Sequence, residues 1–135
     1  MADVERLLSA PQPGTLWWRR DRAILEMLYA TGCRVSELTT LHLADLHLSE
    51  RTCRCHGKGD KQRFVPLGVP ACERIQEYLT HERPKLVARS VSEPPQLFLS
   101  SRGKILRRER VWEIVKRCAS QAGLTQTLSP HSLRH

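Results

Sequence analysis

Aromatic residues are scarce: three tryptophans, two tyrosines and two phenylalanines in 135 positions, with no strand-like run that gathers them. An RNA-binding reading, which would need a base-stacking surface, is left with charge alone. No apolar run approaches the roughly 18 residues needed to cross a bilayer, and "MADVERLLSA" lacks the basic and apolar pattern of a secretory leader. A soluble, cytoplasmic protein with no membrane partner is therefore expected. The five cysteines (Cys33, Cys53, Cys55, Cys72, Cys118) are odd in number and follow no paired spacing, which predicts reduced thiols. "CRCH" has no second ligand pair at metal spacing. Cys53 and Cys55 are thus read as strand residues sharing one face, with His56 beside them, and no metal site is expected. Internal repeats are also absent.

Acid is in short supply as well. Lys plus Arg outnumber Asp plus Glu by 22 to 14, a formal net charge of +8, and such an excess favours a polyanionic partner such as nucleic acid. The length suits one domain with a real core.

Hydrophobic spacing predicts alternating element types. A short helix opens at "DVERLLSA" with Asp3 as cap, and "PQPG" breaks it. Ile24, Met27, Leu28 and Thr31 mark a longer helix that ends at Gly32, with Tyr29 also on its inner side, and Val35, Leu38 and Leu41 mark another close behind. "RTCRCHGKGDKQRFVPLG" changes period: two β-prone runs near 52–57 and 63–68 flank a Gly-rich turn, which reads as a hairpin. Pro70 opens a helix that turns Ala71, Cys72, Ile75, Tyr78 and Leu79 inward. "RPKLVARSVSEPPQ" reads as an exposed loop, "LFLS" as a third strand near 97–99, and "RRERVWEIVKRCASQAG" as a basic amphipathic helix leaving at Gly123. Trp17 and Trp18 are read as packing anchors. The fold expected is α+β, mainly helical, with a small antiparallel sheet. At the end of the sequence Ser129 and Pro130 open a helix with room for only about one and a half turns.

Three pieces, "LYATGCRVSEL", "HGKGDKQRFVPLG" and "HSLRH", occur in the order and at separations similar to those of the catalytic domain of tyrosine recombinases of the Xer and phage-integrase type. The resemblance runs from about Arg19 to His135. It implies cutting of one DNA strand by a tyrosine hydroxyl, a 3′-phosphotyrosine link and rejoining by reversal, without metal or nucleotide cofactor. It further implies that Arg34 and Arg134 hold the scissile phosphate, that Lys58 protonates the leaving 5′ oxygen, that His131 carries a proton near the nucleophile, and that Glu37 supports Arg34. Double-stranded DNA is the implied partner, together with other recombinase subunits on it.

Each residue also has a plainer reading. Arg34 could be a solvated turn residue, Lys58 soluble surface, His131 a terminal cap and Glu37 a first-turn acid that complements the helix dipole. Lys61 and Arg63 in the hairpin are candidate phosphate contacts, as are Lys104, Arg107 and Arg108 in "RGKILRRER". A second class of function is open too: "LYATGCRVSELTTLHLADL" fits a helix-turn-helix DNA-binding protein, which needs neither the hairpin nor "HSLRH". In the family, further helices bearing a histidine or tryptophan and then the tyrosine nucleophile follow "HSLRH", and neither Tyr29 nor Tyr78 matches that tyrosine. Residues 1–135 are accordingly expected to be a single partial catalytic domain, incomplete at the C-terminus, without the N-terminal core-binding domain or the nucleophile segment.

Overall fold

The computed structural model of the chain describes residues 2–57, 59 and 61–124. In order they form α1 (Ala2–Leu8), α2 (Trp18–Thr31), α3 (Val35–Thr40), a 3₁₀ turn Leu43–Asp45, β1 (Leu46–His47), a second 3₁₀ turn Leu48–Glu50, β2 (Thr52–His56), β3 (Gln62–Pro66), α4 (Val69–His81), α5 (Arg83–Val87) and α6 (Arg108–Gln121). The mainly helical α+β expectation is met, with one small antiparallel sheet in the order β1-β2-β3.

Helix α2 is the central beam. Ala23, Ile24, Leu25, Met27 and Leu28 are all buried, and the helix packs chiefly on α4, where Ile75 and Tyr78 face it. Gly32 ends α2 in the left-handed region (φ +63°), donating its N–H to Leu28 O at 3.0 Å, the geometry that glycine adopts without a side-chain clash. The N-terminus of α2 is held from a distance in sequence: Glu82 accepts the backbone N–H groups of Arg19 (3.0 Å) and Arg20 (2.7 Å). A carboxylate there satisfies two donors that no helical carbonyl can reach and complements the helix dipole. Asp21, on the same turn, accepts from buried Arg20 Nε at 3.0 Å and from Arg117 of α6, tying the two helices together.

The third strand is not where the spacing placed it. Residues 97–99 are buried, but they carry a single isolated bridge, Leu99 to Ile105, and the sheet is completed by Leu46–His47. The physical reason lies in who takes the backbone groups. Leu97 O accepts from Tyr78 Oη (2.8 Å) and Arg83 Nε (3.1 Å), Leu99 O from Arg20 Nη1 (3.2 Å), and Leu99 N–H donates to Tyr78 Oη (3.2 Å). Leu97 N–H donates to Leu41 O at 2.8 Å, and side chains take these other groups as a neighbouring strand would.

Two smaller expectations are corrected. The segment from Arg83 is not simply an exposed loop: Arg83–Val87 is helical, and buried Arg83 fastens the following turn by donating to Pro94 O, Gln96 O and Glu93. Asp3 lies inside the first turn of α1, paired with Arg6, because the helix begins at Ala2. Trp17 is a buried anchor, with Arg89 over its ring, whereas Trp18 is partly exposed under Arg19 and Arg22.

Candidate functional site

The chain leaves α2 at Gly32, buries Cys33, and presents Arg34 as the residue that begins α3. Arginine has no acceptor, so its side chain cannot cap the helix. Glu37 does so instead: its Oε1 accepts the Arg34 backbone N–H at 2.7 Å. The Arg34 side chain is consequently exposed, and among the described residues its guanidinium has neither a hydrogen bond nor an ion pair.

The hairpin rests against this turn. β2 and β3 pair so that Cys55 faces Arg63 and His56 faces Gln62, and Gly57 N–H donates to Lys61 O at 2.7 Å to close the base of the turn. A Cβ at Gly57 would stand 3.4 Å from both Arg63 Nη1 and Glu37 Oε2, so the base of the hairpin turn lies in van der Waals reach of the α3 acid. Arg63 Nη1 lies 4.0 Å from Glu37 Oε2. Glu37 therefore joins the Arg34 turn to the hairpin. Lys61 and Arg63 are exposed beside it.

Arg34, Ser36, Glu37, Thr40, His56 and Gly57 line one open cleft of about 300 Å³. His56, in its lining, meets Asp45, which is 3% exposed. Asp45 accepts from His42 N–H (2.9 Å) and Arg54 Nε (3.0 Å), and its Oδ1 lies 3.3 Å from His56 Nε2. Burial works against its charge, but the bonds from His42, Arg54 and His56 outweigh it and hold the carboxyl below its ordinary value. His56 and Asp45 were not among the residues singled out for a role at the site. The signal available was period 2 along β2, which turns His56 away from the face that buries Cys53 and Cys55.

Lys104, Arg107 and Arg108 are exposed just before and at the start of α6, and none of them lines the Arg34 cleft. Lys58, His131 and Arg134 lie outside the described residues. Tyr78 is fully buried with its hydroxyl bonded to Leu97 O, and burial pushes its pKa well up. Tyr29, expected on the inner face, is only half-buried. The five cysteines are free, and burial pushes the thiols of Cys33 and Cys118 up to about 11, which keeps them protonated and inert. Among the described residues no group of three or more His, Cys, Asp or Glu side chains could hold a metal ion, and no helix is long and apolar enough to cross a membrane.

Helix α3 also bears on the helix-turn-helix alternative. Its six residues rise only about 9 Å at 1.5 Å each, and Val35, Leu38 and Thr39 face the core, which leaves little helix to lie along a groove.

Comparison with known proteins places this geometry. The model of the phage integrase family matches residues 1–135. The tyrosine recombinase XerD of Bifidobacterium longum (strain NCC 2705) is 52% identical over 119 residues, covering 86% of this chain and 39% of that protein. The XerD of Listeria innocua serovar 6a is 44% identical over 133 residues, 98% of this chain and 44% of that protein. The chain thus spans less than half the length of these curated relatives. Among solved structures, the XerA recombinase superposes with a TM-score of 0.81 at 25% identity, covering 98% of this chain and 45% of that one. The XerH site-specific recombinase, in its post-cleavage complex with palindromic difH substrate, superposes with a TM-score of 0.78 at 25% identity, covering 98% and 38%. The fold, the exposed arginine after α2 and the hairpin packed on that turn agree with the family match along the whole sequence, and the chain belongs to the phage integrase family, with the catalytic-domain fold of a tyrosine recombinase.

Proposed function

We propose that this chain binds duplex DNA through backbone phosphates and supplies part of the catalytic apparatus of a site-specific tyrosine recombinase. The observation that carries the reading is Arg34, whose exposed guanidinium has no partner among the described residues and lines a cleft beside a hairpin with exposed Lys61 and Arg63. Two of a guanidinium's donors match two phosphate oxygens in a fork, a match that lysine does not provide. Solved neighbours support the same reading, since XerH was captured with its difH substrate before and after cleavage.

In this reading Arg34 and Arg134 hold the non-bridging oxygens of the scissile phosphate while a tyrosine hydroxyl attacks phosphorus. The Tyr Oη–P bond forms, the P–O5′ bond breaks, and Lys58 gives the leaving oxygen its proton, with His131 handling the proton of the nucleophile. Developing negative charge on the phosphate is met by fixed cations. Tyr29 and Tyr78 are not that nucleophile in our account. Residues 1–135 act as a single unit of the catalytic domain, partnered on DNA by further recombinase subunits, in the cytoplasm. Lys104, Arg107 and Arg108 add phosphate contacts away from the cleft.

A salt series tests this. Affinity for several unrelated duplexes should fall linearly on a log–log plot as salt rises, with a slope set by the number of phosphates neutralised. Arg34→Ala should lower that slope by about 1 and weaken all sequences alike. Salt-insensitive binding, or none at low salt, removes the reading.

A further inference from the structure

The Arg34 cleft contains a nitrogen base to which the roles above give no work. His56 ends β2 and is 36% exposed, with its Nε2 lying 3.3 Å from Asp45 Oδ1. Asp45 is itself fixed by His42 N–H and by Arg54, is buried, and is held in its carboxylate form. A carboxylate can only accept, so the Nε2 of His56 must carry the hydrogen. In the neutral ring the other nitrogen, Nδ1, is then a lone-pair acceptor. Among the described residues Nδ1 has no hydrogen-bond partner, and the ring forms part of the cleft wall with Arg34.

This fixed tautomer has a consequence for an anion in the cleft. A phosphate oxygen, also an acceptor, is repelled by neutral His56. It is bound only when a second proton turns Nδ1 into a donor and the ring into a cation. We propose that His56, oriented by Asp45, is a pH-gated ligand for the DNA phosphate held by Arg34, contacting it as the imidazolium and not as the neutral ring. The proposal rests on the phosphate-binding reading of the cleft.

The charged groups that face His56 are Asp45 from the 3₁₀ turn and Arg54 on the same strand, with Arg34 just before α3 and Glu37 on α3 lining the same cleft and Glu37 shared with Arg63 of β3. A phosphate bound in the cleft adds negative charge beside the His56 ring in its wall, so binding and protonation reinforce each other.

The test uses anisotropy of a labelled duplex at fixed ionic strength, from about pH 8 to about pH 5.5, the range in which histidine ordinarily changes charge. Wild-type affinity should rise about tenfold as pH falls, roughly the effect of one added charged contact, and the salt slope should steepen by about 1. His56→Gln should bind like wild type at the upper end and lose most of that rise. His42, His47, His81, His131 and His135 remain in this variant and report the background. As a second readout, the ring-nitrogen chemical shifts of His56 in the wild type should move to imidazolium values when duplex is added. If Arg34→Ala weakens binding but His56→Gln keeps the wild-type pH profile, or the ring stays neutral in the complex, this inference falls and the phosphate-binding reading stands. If no duplex binds at any pH, both fall.

Discussion

Glu37 accepts the backbone N–H of Arg34 at 2.7 Å through one carboxylate oxygen and stands 4.0 Å from the Arg63 guanidinium through the other. One acid thereby fixes the first turn of α3 and faces the hairpin. Glu37→Ala should cost about 1 kcal/mol, the usual loss when a helix N-terminus gives up its side-chain acceptor. Glu37→Gln keeps an acceptor oxygen and should cost less than half of that. Urea unfolding of the two variants checks the order; equal costs would mean that charge, and not the hydrogen bond, holds the turn.

Asp45 gives an acid limb to stability. Its carboxyl is held below its ordinary value of 3.8 in the folded chain, so the stabilisation is complete above that value and is lost as pH falls through the lower folded value. Melting curves should show wild type losing stability below about pH 4, and Asp45→Asn losing less over the same interval. At neutral pH Asp45→Asn should cost about 2 kcal/mol, because the hydrogen bonds it removes are made to a charged acceptor.

Asp21 is the largest single liability. It is 1% exposed and is the carboxylate that pairs with Arg20, itself 2% exposed, and with Arg117. Asp21→Asn leaves a buried guanidinium without its counter-charge and should cost about 3–5 kcal/mol. Denaturant titration reads this directly; a loss under about 1 kcal/mol would mean that water or Leu99 O suffices for Arg20.

What the sequence disclosed was local. Gly32 after the Ile24, Met27, Leu28 stripe located the Arg34 turn, because both signals lie within three turns of one helix. Two β-prone runs around Gly57 and Gly59 located the hairpin in the same way. What stayed hidden depended on distant partners. Leu97 and Leu99 have the composition of a strand, but Tyr78, Arg83 and Arg20 take their backbone groups, and no local pattern announces that choice. The two residues of β1 are too few to alternate. Glu82 reaches the start of α2 across more than sixty residues, and His56 meets Asp45 only because β1 and the preceding turn fold back on β2.

Under the proposed function, residues 1–135 bring the phosphate-holding side of a strand-cleaving site, and neither Tyr29 nor Tyr78 is its nucleophile. The direct measurement incubates the chain with a suicide duplex bearing a recombination site of a relative and looks for a covalent protein–DNA adduct on a denaturing gel. The 135-residue chain should give none, because Tyr78 is buried with its hydroxyl engaged and Tyr29 sits half-buried in α2. Fused to the tyrosine-bearing segment of a relative, it should give an adduct that disappears with Arg34→Ala. An adduct formed by the unfused chain and abolished by Tyr29→Phe or Tyr78→Phe would contradict the account.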